Sequence, residues 1–436
     1  MKNLLIWEFF KFNMQQQTKS KKQPLYILIL LILAAEAIFI LPFVLQRVFR
    51  PTFLETFSIN NEDLGYCFSV YGIVALFSYL FGGPIADKFQ PKNLMSVALI
   101  LTALGGFYFA TFPEYEFLKL LYGYWGFTTI FLFWAAMIKA TRIWGGDNNQ
   151  GIAFGYLDGG RGIVAATFGS LGVFVFSFFI EGTITNSSLI ERQFAFKQVI
   201  TTCSIIVAII GLIVYFFLKT STEEVTDLKS DFNSLYIKNF KSLIKIPTVR
   251  LLMLIILCAY TGYKATDLFT LYATDVMRYN AIKSAEVGTY LLYLRPVIGV
   301  IIGLMADKGR ASFWLIIGFL LTTFSSLIFS FGIIDNNTTM LFIINILLMA
   351  IGVYSCRVLY FATLPEAKIP VAVTGTAVGL VSIIGYTPDI FSGPMFGILV
   401  DNPNKTAGLE NAFLVLSVFS IIGFLTAYRF YKISKK

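Results

Sequence analysis

The sequence predicts an all-α membrane protein of twelve spanning helices arranged as two pseudo-symmetric six-helix bundles. Three observations lead there: a shortage of charge, a succession of bilayer-length apolar runs, and a repeat of the same residues in the two halves of the chain. Apolar residues make up 57% of the 436 residues and charged residues only 14%. An ordinary soluble domain carries about 25% charged residues. A surface with so few charges is solvated by lipid.

A spanning helix needs about 20 mainly apolar residues. On that measure the spans fall at 25–47, 62–86, 93–112, 117–141, 150–180, 194–219, 248–274, 284–306, 311–333, 339–364, 370–400 and 408–431. Residues 1–24 read as a cytoplasmic tail, too polar for the apolar core of a signal peptide and followed by no small-residue cleavage site. The run that starts at Leu25 is therefore read as a retained span. Residues 220–247 carry Glu223, Glu224, Asp227, Lys229, Asp231, Lys238, Lys241 and Lys245, and form the long polar stretch between spans. This linker separates an N-terminal bundle at 25–219 from a C-terminal bundle at 248–431, with a short tail at 432–436. Lys and Arg gather in the N-terminal tail, the linker, the C-terminus and the loops after alternate spans. Basic loops stay inside, so both termini and the linker are expected in the cytoplasm.

The net charge of +9 raises the question of nucleic acid. The basic residues are scattered over many loops and form neither stripe nor block, which excludes that reading. Cys67, Cys203, Cys258 and Cys356 lie singly in apolar runs and histidine is absent from the sequence, so buried free thiols are expected and no metal site. Gly145-Gly146 and Gly159-Gly160 fit no phosphate-binding loop. With no reactive constellation, neither an enzyme nor a cofactor is expected.

The halves echo each other. Gly83-Pro84-Ile85-Ala86-Asp87-Lys88 ends the second span, and Gly303-Leu304-Met305-Ala306-Asp307-Lys308 ends the eighth. Ala153-Phe154-Gly155 with Gly159 in the fifth span parallels Val373-Thr374-Gly375 with Gly379 in the eleventh, and Lys139 and Arg357 sit at similar offsets before them. Such order implies parallel six-helix repeats about an axis along the membrane normal. Glycine at a helix end lets another helix approach closely. An aspartate beside it, among cations, can hold one arrangement of the halves and release it in another.

At these residues the chain resembles the major facilitator superfamily, whose signature between its second and third helices is Gly-x-x-x-Asp-Arg/Lys-x-Gly-Arg/Lys-Arg/Lys. Gly83, Asp87, Lys88 and Lys92 match it, while Gln90 and Pro91 depart from it. The second copy, Gly303 to Arg310, is shorter but keeps Asp307, Lys308 and Arg310. The resemblance implies a secondary transporter that works by alternating access. It also implies a conformational latch at Gly83, Asp87, Lys88, Lys92, Gly303, Asp307, Lys308 and Arg310. The expected partners are a small-molecule substrate, protons and the lipid bilayer. The expected working unit is a monomer, and the expected location a bacterial inner membrane.

Charges inside spans carry the functional reading, because each costs at least about 2.5 kcal/mol on insertion scales. Glu36 lies at the centre of the first span among Ala34, Ala35 and Ala37. Asp158 and Arg161 share a face of the glycine-rich fifth span, and Lys264 and Asp267 repeat that spacing in the seventh. Arg295 precedes Pro296 in the eighth span, Arg357 lies mid-way along the tenth, and Asp389 follows Pro388, where a bend is expected. Arg142 sits nearer a helix end and reads as an interface residue. Lys139, Arg161, Lys264, Arg295 and Arg357, with Tyr71 and Tyr124, are candidates for gripping substrate. Glu36, Asp158, Asp267 and Asp389 are candidates for carrying a coupling proton. Tyr122, Trp125, Trp134, Tyr260, Tyr263, Tyr293 and Tyr360 are further aromatics for the cavity, though packing is the commoner role of such residues. Five cations against three or four carboxylates lean toward a small organic anion, since arginine presents a fork suited to carboxylate, phosphate or sulfonate. A neutral or zwitterionic solute, or export of drugs, is the alternative.

Overall fold

The computed structural model describes residues 24–146, 149–180, 188–219, 242–279, 281–400 and 402–435. The tail before Pro24 and most of the linker, 220–241, lie outside them. Twelve long helices follow: α1 (Leu25–Val48), α2 (Asp63–Lys88), α3 (Pro91–Phe109), α4 (Tyr115–Gly145), α5 (Gln150–Phe178), α6 (Leu189–Phe217), α7 (Pro247–Asp275), α8 (Ala281–Asp307), α9 (Ala311–Ser330), α10 (Thr339–Ala362), α11 (Thr374–Val400) and α12 (Lys405–Ser434). Eleven are long and apolar enough to cross a membrane, and α8 runs for 27 residues. No strand occurs among the described residues.

Local chemistry explains the breaks in these helices. In α1 the ladder widens to a π-helical segment at Ile40–Val44, because Pro42 has no N–H to donate. Gln46 Nε2 donates to the carbonyl of Leu41 at 2.7 Å within that segment. In α4 a longer π segment runs from Phe127 to Trp134. The Trp125 carbonyl near its start accepts Thr129 Oγ1 at 2.7 Å, and Thr128 Oγ1 pairs with Thr102 across to α3 at 2.8 Å. The bend expected at Pro388 is a full interruption: α11 stops at Gly385 and resumes at Pro388.

The six helices of each half pack mainly on one another, and the halves meet along two seams, α5 with α8 and α2 with α11. Backbones touch at both seams. A Cβ on Gly83 would stand 2.5 Å from the Gly375 carbonyl oxygen, and one on Gly303 would stand 2.5 Å from that of Gly151. Only glycine fits such an approach, which is why it recurs at matching places in both halves. Along α11, the segment Thr374–Gly385 lies against α2, whereas Pro388–Val400 touches it sparsely. The halves are thus closed on the face where α1 begins and α12 ends, and the α2–α11 seam is splayed toward the opposite face.

The repeat holds, but in a different register from the one expected. Gly151 of α5, and not Gly155, occupies the place of Gly375 in α11, because each of these two meets the glycine and aspartate of a facing helix end. Glycines four residues apart allow an alignment to slip by one turn without losing its matches. The carboxylate contact breaks that ambiguity.

A Gly303→Val variant tests the seam. Overpacking against Gly151 is expected to cost about 1–3 kcal/mol and to lower the melting temperature of the detergent-solubilised protein. Unchanged melting would show that the helices do not pack this closely.

Candidate functional site

The closed face is held by two carboxylates. Asp87, at the end of α2, accepts the N–H of Gly375 and of Thr376, each at 2.7 Å, and the Thr376 hydroxyl at 2.5 Å. Asp307, at the end of α8, accepts the N–H of Gly151 at 2.7 Å and of Ile152 at 2.8 Å. In each case a carboxylate of one half caps the first turn of a helix of the other half, where N–H groups lack intrahelical acceptors and the helix dipole favours an anion. Arg142 adds a third tie, donating to Thr374 Oγ1 at 2.7 Å and to the Ile369 carbonyl.

The structure divides the expected latch residues. Gly83, Asp87, Gly303 and Asp307 meet across the seams. Lys88 and Lys308 are exposed, and Lys92 lies 5.9 Å above the Tyr215 ring. Arg310 acts within its own half: it donates to Glu366 at 2.9 and 3.2 Å and to Ser434 at 2.6 Å, tying the turn after α10 and the end of α12 to the turn before α9. Lys139, expected at the substrate, instead donates to the Ala86 and Asp87 carbonyls at 2.9 and 3.1 Å and steadies the end of α2. Its side chain starts too near the closed face to reach the middle of the bundle, and the slipped register removes its equivalence to Arg357.

Half-way along the helices the remaining charges converge. Asp158 of α5 accepts Arg295 of α8 through Nε at 2.9 Å and Nη2 at 2.5 Å, and Arg357 of α10 through Nε at 3.2 Å. One carboxylate of the first half is thus gripped by two arginines of the second. Arg161, one turn further along α5, donates Nε to Glu36 of α1 at 2.9 Å. Lys264 of α7 meets Asp389 of α11 at 2.6 Å, and Tyr260 donates to the same oxygen at 2.9 Å. The Arg357 guanidinium lies 3.6 Å from the centroid of Tyr263. Glu36, Asp158, Arg161 and Arg295 are buried, whereas the Lys264 and Asp389 side chains keep 33% and 25% exposure and mark the wetter end of the cluster.

A small cavity sits inside this cluster, lined by Trp134, Phe154, Asp158, Arg161, Arg357 and Tyr360 among others. Two buried donors at its edge have no hydrogen-bond partner, Arg357 Nη1 and Trp134 Nε1. Tyr71 is buried and hydrogen-bonded to Thr129 at 2.7 Å beside Phe43, off the cavity wall. Tyr124 donates to the Leu101 carbonyl at 2.7 Å in the α3–α4 packing, also away from the cluster. Period alone cannot distinguish the cavity face of α4 from its packing face, and the π segment turns it further. The Asp267 side chain lies outside the described residues. Tyr79, Tyr386 and Phe361, which no sequence signal marked, complete an aromatic wall: Tyr386 stacks on Tyr79 at 5.4 Å and bonds Tyr360 at 2.9 Å, while Phe361 lies 6.1 Å from Trp134.

A pair of duplicated helix bundles, closed at one face by reciprocal carboxylate caps and enclosing buried charge half-way through, defines a polytopic membrane transporter. The chain belongs to the Major Facilitator Superfamily, whose sequence profile matches residues 25–393. It is 24% identical over 375 residues to the inner membrane protein YqcE of Escherichia coli strain K12, covering 85% of this chain and 86% of that one. It is 26% identical over 401 residues to the inner membrane protein YihN of the same strain, covering 90% and 92%. Its fold matches that of the superfamily transporter FucP in the outward conformation, with a TM-score of 0.72 at 15% identity over 92% of this chain and 97% of that one.

The caps yield a direct test. Asp307→Ala removes two charge-assisted bonds of about 1.5–3 kcal/mol each. The closed face should open more readily, seen as faster labelling of a cysteine introduced at Ile152 in the otherwise cysteine-free protein. Labelling at the wild-type rate would show that the carboxylate does not hold the halves together.

Proposed function

We propose that this chain is a secondary active transporter for a small organic anion of the carboxylate, phosphate or sulfonate type, coupled to protons and working by alternating access. The observation that carries the reading is the charge balance of the central cluster. In its buried part Arg161, Arg295 and Arg357 meet two carboxylates among the described side chains, Glu36 and Asp158, and Asp158 serves two arginines at once. A buried positive charge in excess is costly unless an anion joins it. A substrate carboxylate or phosphate would supply that charge.

The same geometry suggests the transport cycle. An anion entering from the splayed face competes with Asp158 and Glu36 for the arginines. A carboxylate displaced from its arginine in a dry interior is neutralised by a proton, so binding of substrate and of proton are linked. Arg161 comes from the first half and Arg295 and Arg357 from the second, so one anion between them draws the halves together. That closure competes with the Asp87 and Asp307 caps on the far face. With both chain ends in the cytoplasm, the splayed face is the external one.

Two experiments test this reading. In a thermal-shift screen of purified protein, organic anions should stabilise the wild type while neutral sugars do not. Arg357→Ala, which leaves Asp158 paired to Arg295, should weaken anion binding at least about tenfold. Stabilisation by neutral solutes alone, unaffected by Arg357→Ala, would remove the anion. Separately, Glu36→Gln in proteoliposomes should retain counterflow but lose accumulation driven by a pH gradient. Gradient-driven accumulation at the wild-type level would clear Glu36 of the coupling role.

A further inference from the structure

We infer that Trp134 is a substrate-binding residue, its indole N–H donating to one oxygen of the anion while Arg357 Nη1 donates to another. This rests on the anion reading above and adds a neutral ligand from the opposite half. The inference starts from an anomaly. Trp125, Trp144 and Trp314 each donate Nε1 to a backbone carbonyl, of Thr102, Pro24 and Met305 at 3.2, 3.0 and 3.0 Å. Trp134 alone among the described tryptophans does not, although it is only 6% exposed. A buried donor left without an acceptor costs about 1–3 kcal/mol, and a fold that pairs its other described indoles has no packing reason to leave this one bare.

The orientation of the ring is built in. Trp134 closes the π segment of α4, and π turns within α-helices re-aim the side chains that follow and recur at functional sites. Tyr386 at 5.4 Å and Phe361 at 6.1 Å, with Phe39 at 6.3 Å, hold the indole from three sides. Its N–H therefore cannot swing to a substitute acceptor. Arg357 stands across the same cavity with its side chain 9% exposed and Nη1 equally unpaired. The two residues sit on α4 and α10, the matching helices of the two repeats.

Two fixed donors on opposite halves call for a ligand that only accepts, with at least two oxygens close together. An oxyanion meets that requirement, and an organic cation, which brings donors and positive charge, does not. Because the donors belong to different halves, holding both oxygens also couples occupancy to the closing of one half on the other.

The test uses the full chain in nanodiscs with glucuronate and glucose 6-phosphate as probes. Trp134→Phe keeps the aromatic packing and removes the N–H. It should weaken binding of whichever probe the wild type binds by about tenfold, with the melting temperature of the ligand-free protein not lowered. In 15N-indole-labelled wild type, the resonance absent from Trp134→Phe should shift on saturation with that probe. Equal affinity in the variant, or an indole resonance that does not move, overturns the role of Trp134 and leaves the anion reading intact. A wild type that binds neither probe overturns both.

Discussion

Everything in this protein is arranged around the cost of a charge without a partner in a medium that cannot hydrate it. Asp158 is where that constraint acts hardest. It stands on α5 of the first half, and its described salt-bridge partners, Arg295 and Arg357, both belong to the second half. Neither half satisfies its own buried charges alone. The central cluster is therefore also an interface, and its ion pairs help hold the two halves together.

The caps at the closed face obey the same rule with a different partner. Asp87 and Asp307 are answered by the bare N–H groups at the start of α11 and α5 rather than by cations. Such bonds depend on close approach, and close approach depends on Gly83, Gly151, Gly303 and Gly375. Capping by a dipole is strong at contact and falls off within a turn. A modest separation of the seam would release it completely, which suits a contact made in one arrangement of the halves and broken in another.

Between these layers the π segments of α1 and α4 shape the cavity. Both lie in the first half, at Ile40–Val44 and Phe127–Trp134, and they flank the Phe39–Trp134 edge contact. Their freed polar groups are met by Gln46, Thr128 and Thr129, so the irregular backbone is tolerated in an apolar interior.

Much of this was legible in the residues alone. Apolar runs of bilayer length dictate the helices, since backbone groups in lipid must bond within their own segment. The Gly-x-x-x-Asp copies at 83–87 and 303–307 mark the seams, and Glu36, Asp158, Arg161, Arg295 and Arg357 declare themselves as interior charges by interrupting those runs. Pairing was not legible. That Arg310 serves Glu366, that Lys139 steadies α2, that Gly151 stands where Gly155 was expected, and that Trp134 faces a cavity while Tyr124 does not all depend on azimuth. Each helix offers several faces of similar apolarity to lipid, to its neighbours and to the cavity. Composition and spacing leave those faces nearly degenerate, and only the packing of twelve helices around each other selects among them.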